Sequence, residues 1–97
     1  MNTRFSIRYH YQVMEDDIPS LSREWNARIR ETVEKKLTNH PEVFGKPLQR
    51  SLASCRKLRV GDYRVIFTIS KTEVKVWAIG HRSTIYGIAE KRINKFL

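Results

Sequence analysis

Lys57, Arg59 and Arg64 are the residues of this chain most readily given a chemical task. They fall in two β-rich runs, 56–60 and 63–69, where successive side chains alternate between faces. Tyr63, Val65, Phe67 and Ile69 take one face; Arg64, Ile66 and Thr68 take the other. Lys57 and Arg59 alternate in the same way with Leu58 and Val60. Cations are therefore predicted in the middle of a polar sheet face, not only at its rim. The whole chain carries 19 basic and 10 acidic residues, a net charge of +9 and a pI near 10.1. At 97 residues that is a strong field, and its expected partners are polyanions: nucleic acid, an acidic protein segment, or both.

Other groups have weaker claims. Cys55 lies beside Arg56 and Lys57, neighbours that favour a thiolate. No Cys/His/Asn constellation accompanies it, so a packing role is predicted. His10 alternates onto the basic outer side of the N-terminal run and is expected to be solvated. Glu15, Asp16 and Asp17 suggest a cation site, but consecutive residues point in different directions and converge poorly on one ion. They read better as the acidic start of a helical turn.

These residues need elements to hold them. Residues 4–11 alternate as a half-buried strand, with Phe5, Ile7, Tyr9 and Tyr11 on one side. A short helical turn is predicted within 13–21, limited by Pro19. Ser22 can cap a helix reaching Leu37, whose Trp25, Ile29, Val33 and Leu37 recur every four residues as a core-facing stripe. Asn39 and Pro41 end it. Residues 40–54 read as an irregular connection, pinned to the core by Phe44, Leu48 and Leu52. Three strands follow, at 56–60, 63–69 and 74–79. Gly61-Asp62 suits a tight II′ hairpin turn between the first two. A helix over 84–96 closes the chain, with Ile85, Ile88, Ala89, Ile93 and Phe96 at helical spacing and Lys91, Arg92 and Lys95 in its later turns. The order is β-α-(α)-β-β-β-α. It predicts an α+β fold: a small antiparallel sheet, made of the N-terminal strand and a three-stranded meander, with helices packed on one side.

The length predicts one domain over residues 1–97, and 40% apolar residues suffice for a single modest core. A lone cysteine rules out an internal disulfide and fits a reducing compartment. No apolar run approaches the roughly 20 residues of a membrane helix, and the N-terminus lacks the apolar stretch of a signal peptide. A cytoplasmic location, away from membranes, is expected.

Lys46-Pro47-Leu48, then Lys57-Leu-Arg-Val-Gly-Asp-Tyr-Arg-Val-Ile-Phe67, then Val76-Trp-Ala-Ile-Gly-His-Arg-Ser-Thr-Ile-Tyr86, resembles the RelE/ParE superfamily of type II toxins. The order of elements agrees over nearly the whole chain. The resemblance implies a toxin of a toxin–antitoxin system. In RelE-type members that toxin is an endoribonuclease that cuts messenger RNA in the ribosomal A site. The 2′-hydroxyl attacks the adjacent phosphate, with no metal or cofactor. ParE-type members share the fold and instead poison DNA gyrase. A non-catalytic RNA-binding module is the third reading. An acidic, partly disordered antitoxin is the implied partner, in a hetero-oligomer, beside messenger RNA and the ribosome.

Carried over residue by residue, the resemblance makes Arg64 and Arg82 the two phosphate clamps. Tyr86 becomes the residue that stacks on a base or moves a proton, and Lys57 the family lysine of the strand. His81, adjoining Arg82, is the candidate whose side-chain type titrates nearest neutrality. Lys46, Arg50, Arg56 and Arg59 are the further cations expected to contact RNA. Some relatives carry a second lysine two residues before Lys57, where this chain has Cys55. That substitution leaves the identity of the general base open.

Overall fold

The computed structural model describes residues 4–95. In chain order it contains β1 (Ser6–Tyr9), a π-helical turn (Val13–Asp17), α1 (Arg23–Lys36), α2 (Pro41–Phe44), β2 (Lys46–Pro47) and a 3₁₀ turn (Arg50–Leu52). Then come β3 (Arg56–Val60), β4 (Tyr63–Ser70), β5 (Glu73–His81) and α3 (Ile85–Asn94). The strands form one sheet in the order β1-β5-β4-β3-β2. The α+β expectation holds, and the meander β3-β4-β5 is antiparallel throughout.

The N-terminal strand departs from the antiparallel expectation. Ser6–Tyr9 pairs with Glu73–Val76 of β5 in parallel. The chain leaves β1, crosses through α1 to the far edge, and works back strand by strand. The meander's last strand therefore arrives beside β1 running the same way. The predicted irregular connection also contains a two-residue strand, with Lys46 opposite Lys57 and Pro47 opposite Arg56.

Ser22 caps α1 as its sequence position predicts: its side chain accepts from the Trp25 N–H at 3.2 Å. Ile29, Val33 and Leu37 of the stripe are buried and join Leu58, Val65, Phe67, Val74 and Val76 in the larger core cluster. The one-sided arrangement expected for the helices describes α1, which covers this cluster. A smaller cluster unites α3 (Ile85, Ala89, Ile93) with Ile66, Ala78, Leu52 and Cys55. Ile66 lies between Val65 and Phe67, so strand alternation sends it to the other side of the sheet. The C-terminal helix ends at Asn94 within the described residues; Phe96 of its predicted stripe lies outside them.

Four side chains sit elsewhere than expected. His10 is 3% exposed, not solvated, because the chain turns helical after β1 and folds the imidazole onto Trp77 at a 5.2 Å centroid distance. Phe44 is 42% exposed and does not pin the connection, whereas Leu52 is buried. Asp17 and Arg92, read as ordinary helix-end charges, form a buried bidentate pair. Cys55 is buried, and burial pushes its thiol above the usual range, which agrees with a packing role.

Candidate functional site

Strand register assembles the site. Lys46 pairs with Lys57, Lys57 with Ile66, and Arg59 with Arg64. Opposed residues point to the same side of a sheet, so four cations from three adjacent strands share one face. Phe44, at the end of α2, completes the lining of a cavity of about 150 Å³. At roughly 30 Å³ per water that is room for about five waters, the size of an anionic group and not of a whole small molecule. The lining contains no carboxylate. Arg59 directly opposite Arg64 costs the sheet stability, since like charges in register repel. A bound phosphate would turn that repulsion into attraction, and the same donor set repels a metal cation.

Arg64 is 8% exposed despite its charge. Its Nη1 donates to the carbonyls of Gly61 at 2.9 Å and Tyr63 at 2.8 Å. Both acceptors belong to the β3–β4 turn. Nε and Nη2 remain as donors for an oxyanion, which suits the planar fork of arginine. The turn itself is held from α1. Gly61 has φ +59°, and a Cβ there would stand 2.5 Å from the Trp25 ring. Asp62 does not share the positive φ, so the turn is of the predicted II′ type. Trp25 also packs on the Tyr63 ring at 4.7 Å. A helix on one face thus fixes the turn whose carbonyls hold an arginine on the other.

The remaining predicted residues divide. Tyr86 packs at the edge of the smaller cluster, with the Lys57 ammonium 5.7 Å from its ring centroid, within cation–π range. Arg82 follows β5 at the same end of the sheet as Arg64. It is anchored by its backbone N–H to the Asp62 carbonyl (2.9 Å), and its Nε lies 4.0 Å from the Asp62 carboxylate, both side chains largely exposed. Arg82 lies two residues past Gly80, the partner of Arg64, in the turn that follows β5, so strand alternation does not fix its side. His81, within β5, points away from Arg64's side. It pairs with Tyr63, meets that ring edge-on at 5.9 Å and bonds Ser83 Oγ at 2.8 Å. Arg56 also lies across the sheet, opposite Phe67, its Nη1 donating to the Gly45 carbonyl at 2.9 Å and the Glu42 carbonyl at 3.3 Å. Arg50 sits in the 3₁₀ turn at φ +58° and is not part of the cavity lining.

Sequence reasoning missed Phe44 as a lining residue and the Asp17–Arg92 pair. Arg92 Nη1 and Nη2 donate to the two Asp17 oxygens at 2.7 and 2.8 Å, and Nη1 also to the Trp77 carbonyl at 3.1 Å. Asp17 Oδ2 additionally accepts the Ile79 N–H at 2.8 Å. The pair staples the π turn, β5 and α3 together. A larger, more open cleft of about 490 Å³ runs between Gln12 and α3, but its arginine is this already neutralised Arg92. Among the described residues, no group of three or more His, Cys, Asp or Glu side chains could hold a metal ion. No helix among them is long and apolar enough to cross a membrane.

Residues 8–86 match the model of a family described as the ParE toxin of the type II toxin–antitoxin system parDE. Over 72 residues the chain is 35% identical to the toxin RelE of Mycobacterium tuberculosis, an overlap of 72% of this chain and 74% of that protein. Among solved structures it is similar to a chain of the M. tuberculosis toxin–antitoxin complex RelBE2. The TM-score is 0.76 and the identity 28%, over 84% of this chain and 94% of that one. An Escherichia coli RelE mutant in the free state shares the fold at a TM-score of 0.69 and 13% identity, over 97% and 99% of the two chains.

Proposed function

The chain belongs to the RelE/ParE family of type II toxins, and from that premise we propose that it is an endoribonuclease that cuts messenger RNA in the ribosomal A site without a metal. One observation carries the reading. Arg64 is a buried arginine held only by carbonyls, at the centre of four cations with no carboxylate among them. Such a site is built for an anion, and a phosphodiester has the charge and size.

The reaction requires that the 2′-oxygen form a bond to phosphorus while the bond from phosphorus to the 5′-oxygen breaks. The 2′-hydroxyl proton leaves and the 5′-oxygen gains one. The products are a 2′,3′-cyclic phosphate and a 5′-hydroxyl end. Arg64 holds the non-bridging oxygens through Nε and Nη2 and stabilises the extra charge of the phosphorane. Arg82, exposed just past the end of β5, closes on the same phosphate as the second clamp. Lys57 and Tyr86, held together by the ammonium's contact with the ring, divide the acid and base roles. His81 is turned toward Tyr63 and takes no part. Lys46 and Arg59 hold the flanking backbone, while Arg50 and Arg56 are not needed for the chemistry. The natural restraint is an acidic antitoxin segment covering this basic face in a hetero-oligomer, in the cytoplasm where ribosomes work.

Induced expression tests the reading against gyrase poisoning, the activity of ParE-type members. The expected result is fragmented messenger, arrested translation and intact DNA. Arg64→Ala with Arg82→Ala abolishes this while the protein still folds. Whole messenger with damaged DNA, or undiminished cutting by the double variant, would overturn the assignment.

A further inference from the structure

We propose that Phe44 is a base-stacking platform for the nucleotide beside the bound phosphate, and that Arg56 is the positioning residue that holds it there. The inference rests on the reading of the cation cavity as an RNA site and adds to it how a base is gripped.

Phe44 is one of five large apolar side chains exposed among the described residues, and it is the one that lines the cavity of Lys46, Lys57, Arg59 and Arg64. An aromatic ring at the wall of a cationic groove is the arrangement by which proteins grip single-stranded RNA, with cations on the backbone and rings on the bases. The cavity is too small for a nucleotide, so its phosphate enters while the base stays outside, at the level of the exposed ring. Lys36 stands over one face of that ring, 5.2 Å from its centroid, and the residue is 42% exposed, which leaves ring surface for a base.

The ring is held in place by more than its own contacts. It sits on a four-residue helix whose first residue, Pro41, is fully buried. The helix ends at Gly45, where a Cβ would stand 2.3 Å from the Phe67 ring. Arg56 reaches across from β3 and bonds the Glu42 and Gly45 carbonyls on either side of Phe44 in sequence. Four residues of helix have little stability of their own, so these ties fix where the ring stands. Arg56 spends its charge on the carbonyls of this corner, on the side of β3 away from Lys57 and Arg59. That is why it belongs to the site without touching phosphate.

The test uses the full chain and a short single-stranded RNA with 2′-O-methyl riboses, which binds without being cut. A second copy of the RNA carries one abasic position, moved along the strand. Binding is read by fluorescence anisotropy at several salt concentrations. Phe44→Leu keeps an apolar side chain of similar size and is expected to bind roughly 5- to 150-fold more weakly. It should no longer distinguish abasic from intact RNA, while Phe44→Trp restores both. The salt slope should not change in Phe44→Leu. Arg56→Gln should lose part of the affinity and add little in the Phe44→Leu background. Its salt slope should also stay constant, whereas a phosphate contact would lower the slope by about one. Equal binding by Phe44→Leu with abasic discrimination retained would overturn the inference and leave the cleavage assignment standing. A wild-type protein that binds no free RNA would overturn the stacking inference, while the cleavage assignment stands or falls on the fragmentation of translated messenger. If Phe44→Leu weakens only the hold of an acidic antitoxin segment, the surface is a protein-docking site and the inference fails.

Discussion

Arg64 and Arg92 are buried to nearly the same depth, 8% and 7% exposed, and stand within two neighbouring parts of one fold. Arg92 meets a carboxylate that takes both of its Nη donors. Arg64 meets only the carbonyls of its own turn, which fix Nη1 and leave the charge uncancelled. Burial of a charge is costly unless it is paired. The first arginine satisfies that rule inside the protein. The second leaves it unmet within the protein, and its cross-strand neighbour Arg59 worsens the imbalance. Two arginines that look alike by burial thus separate into a staple and a proposed receptor by what faces them.

The largest effect is expected where the comparison is broken from the Arg92 side. Asp17→Ala strands the guanidinium and should cost about 3–5 kcal/mol of stability, read as the urea midpoint. Asp17→Leu together with Arg92→Met, which removes both charges, should recover most of that loss. If the double variant is as unstable as the single, the pair is not the staple described.

Gly61→Ala attacks the other arginine without touching it. The new Cβ meets Trp25 in a backbone conformation that costs a non-glycine residue about 1–2 kcal/mol. The turn carbonyls then shift away from Arg64. Activity should fall by more than the loss of folded protein explains, and unchanged activity per folded molecule would show that the turn does not orient the guanidinium.

A smaller effect should follow pH near Arg92. Burial lowers the His10 pKa below its ordinary 6.5, helped by the neighbouring charges of Lys75 and Arg92 and opposed by Asp17. The unfolded chain therefore takes up the proton first as the pH falls. The contribution of this group to stability is complete above about 6.5 and is lost as the pH drops through that value toward the folded pKa. His10→Phe should flatten this acid-side slope in urea titrations between roughly pH 7 and pH 5. A slope as steep as the wild type's would assign the pH dependence elsewhere.

The smallest change is a control on the β4–β5 hairpin, remote from both arginines. Lys71 sits at φ +56°, a conformation that suits glycine. Lys71→Gly should raise stability by about 0.5–1 kcal/mol and leave cleavage as it was.

Much of this arrangement is legible in the sequence. The alternation of 56–60 and 63–69 places Lys57, Arg59 and Arg64 on one face, and Gly61-Asp62 announces the turn that joins them. Local patterns carry such information because neighbours in a hairpin are neighbours in the chain. They fail where partners are distant. Nothing near Ser6–Tyr9 announces a parallel partner at Glu73–Val76, and Asp17 finds Arg92 across 75 residues. Arg56 illustrates a subtler limit. The same alternation that unites Lys57 with Arg59 sends Arg56 across the sheet, yet proximity in sequence groups it with them. Phe44 reads as core because apolar residues usually are, whereas the structure leaves it 42% exposed at the wall of the cation cavity.

The central claim is that uncancelled charge at Arg64 performs the cutting. The most direct test adds purified protein to a reconstituted translation reaction and determines the ends of the messenger fragments. The wild type should leave 2′,3′-cyclic phosphate and 5′-hydroxyl ends. Arg64→Ala, still folded by circular dichroism, should cut about 10²- to 10³-fold more slowly. Fragments ending in 3′-hydroxyl and 5′-phosphate, or wild-type cutting by Arg64→Ala, would contradict it.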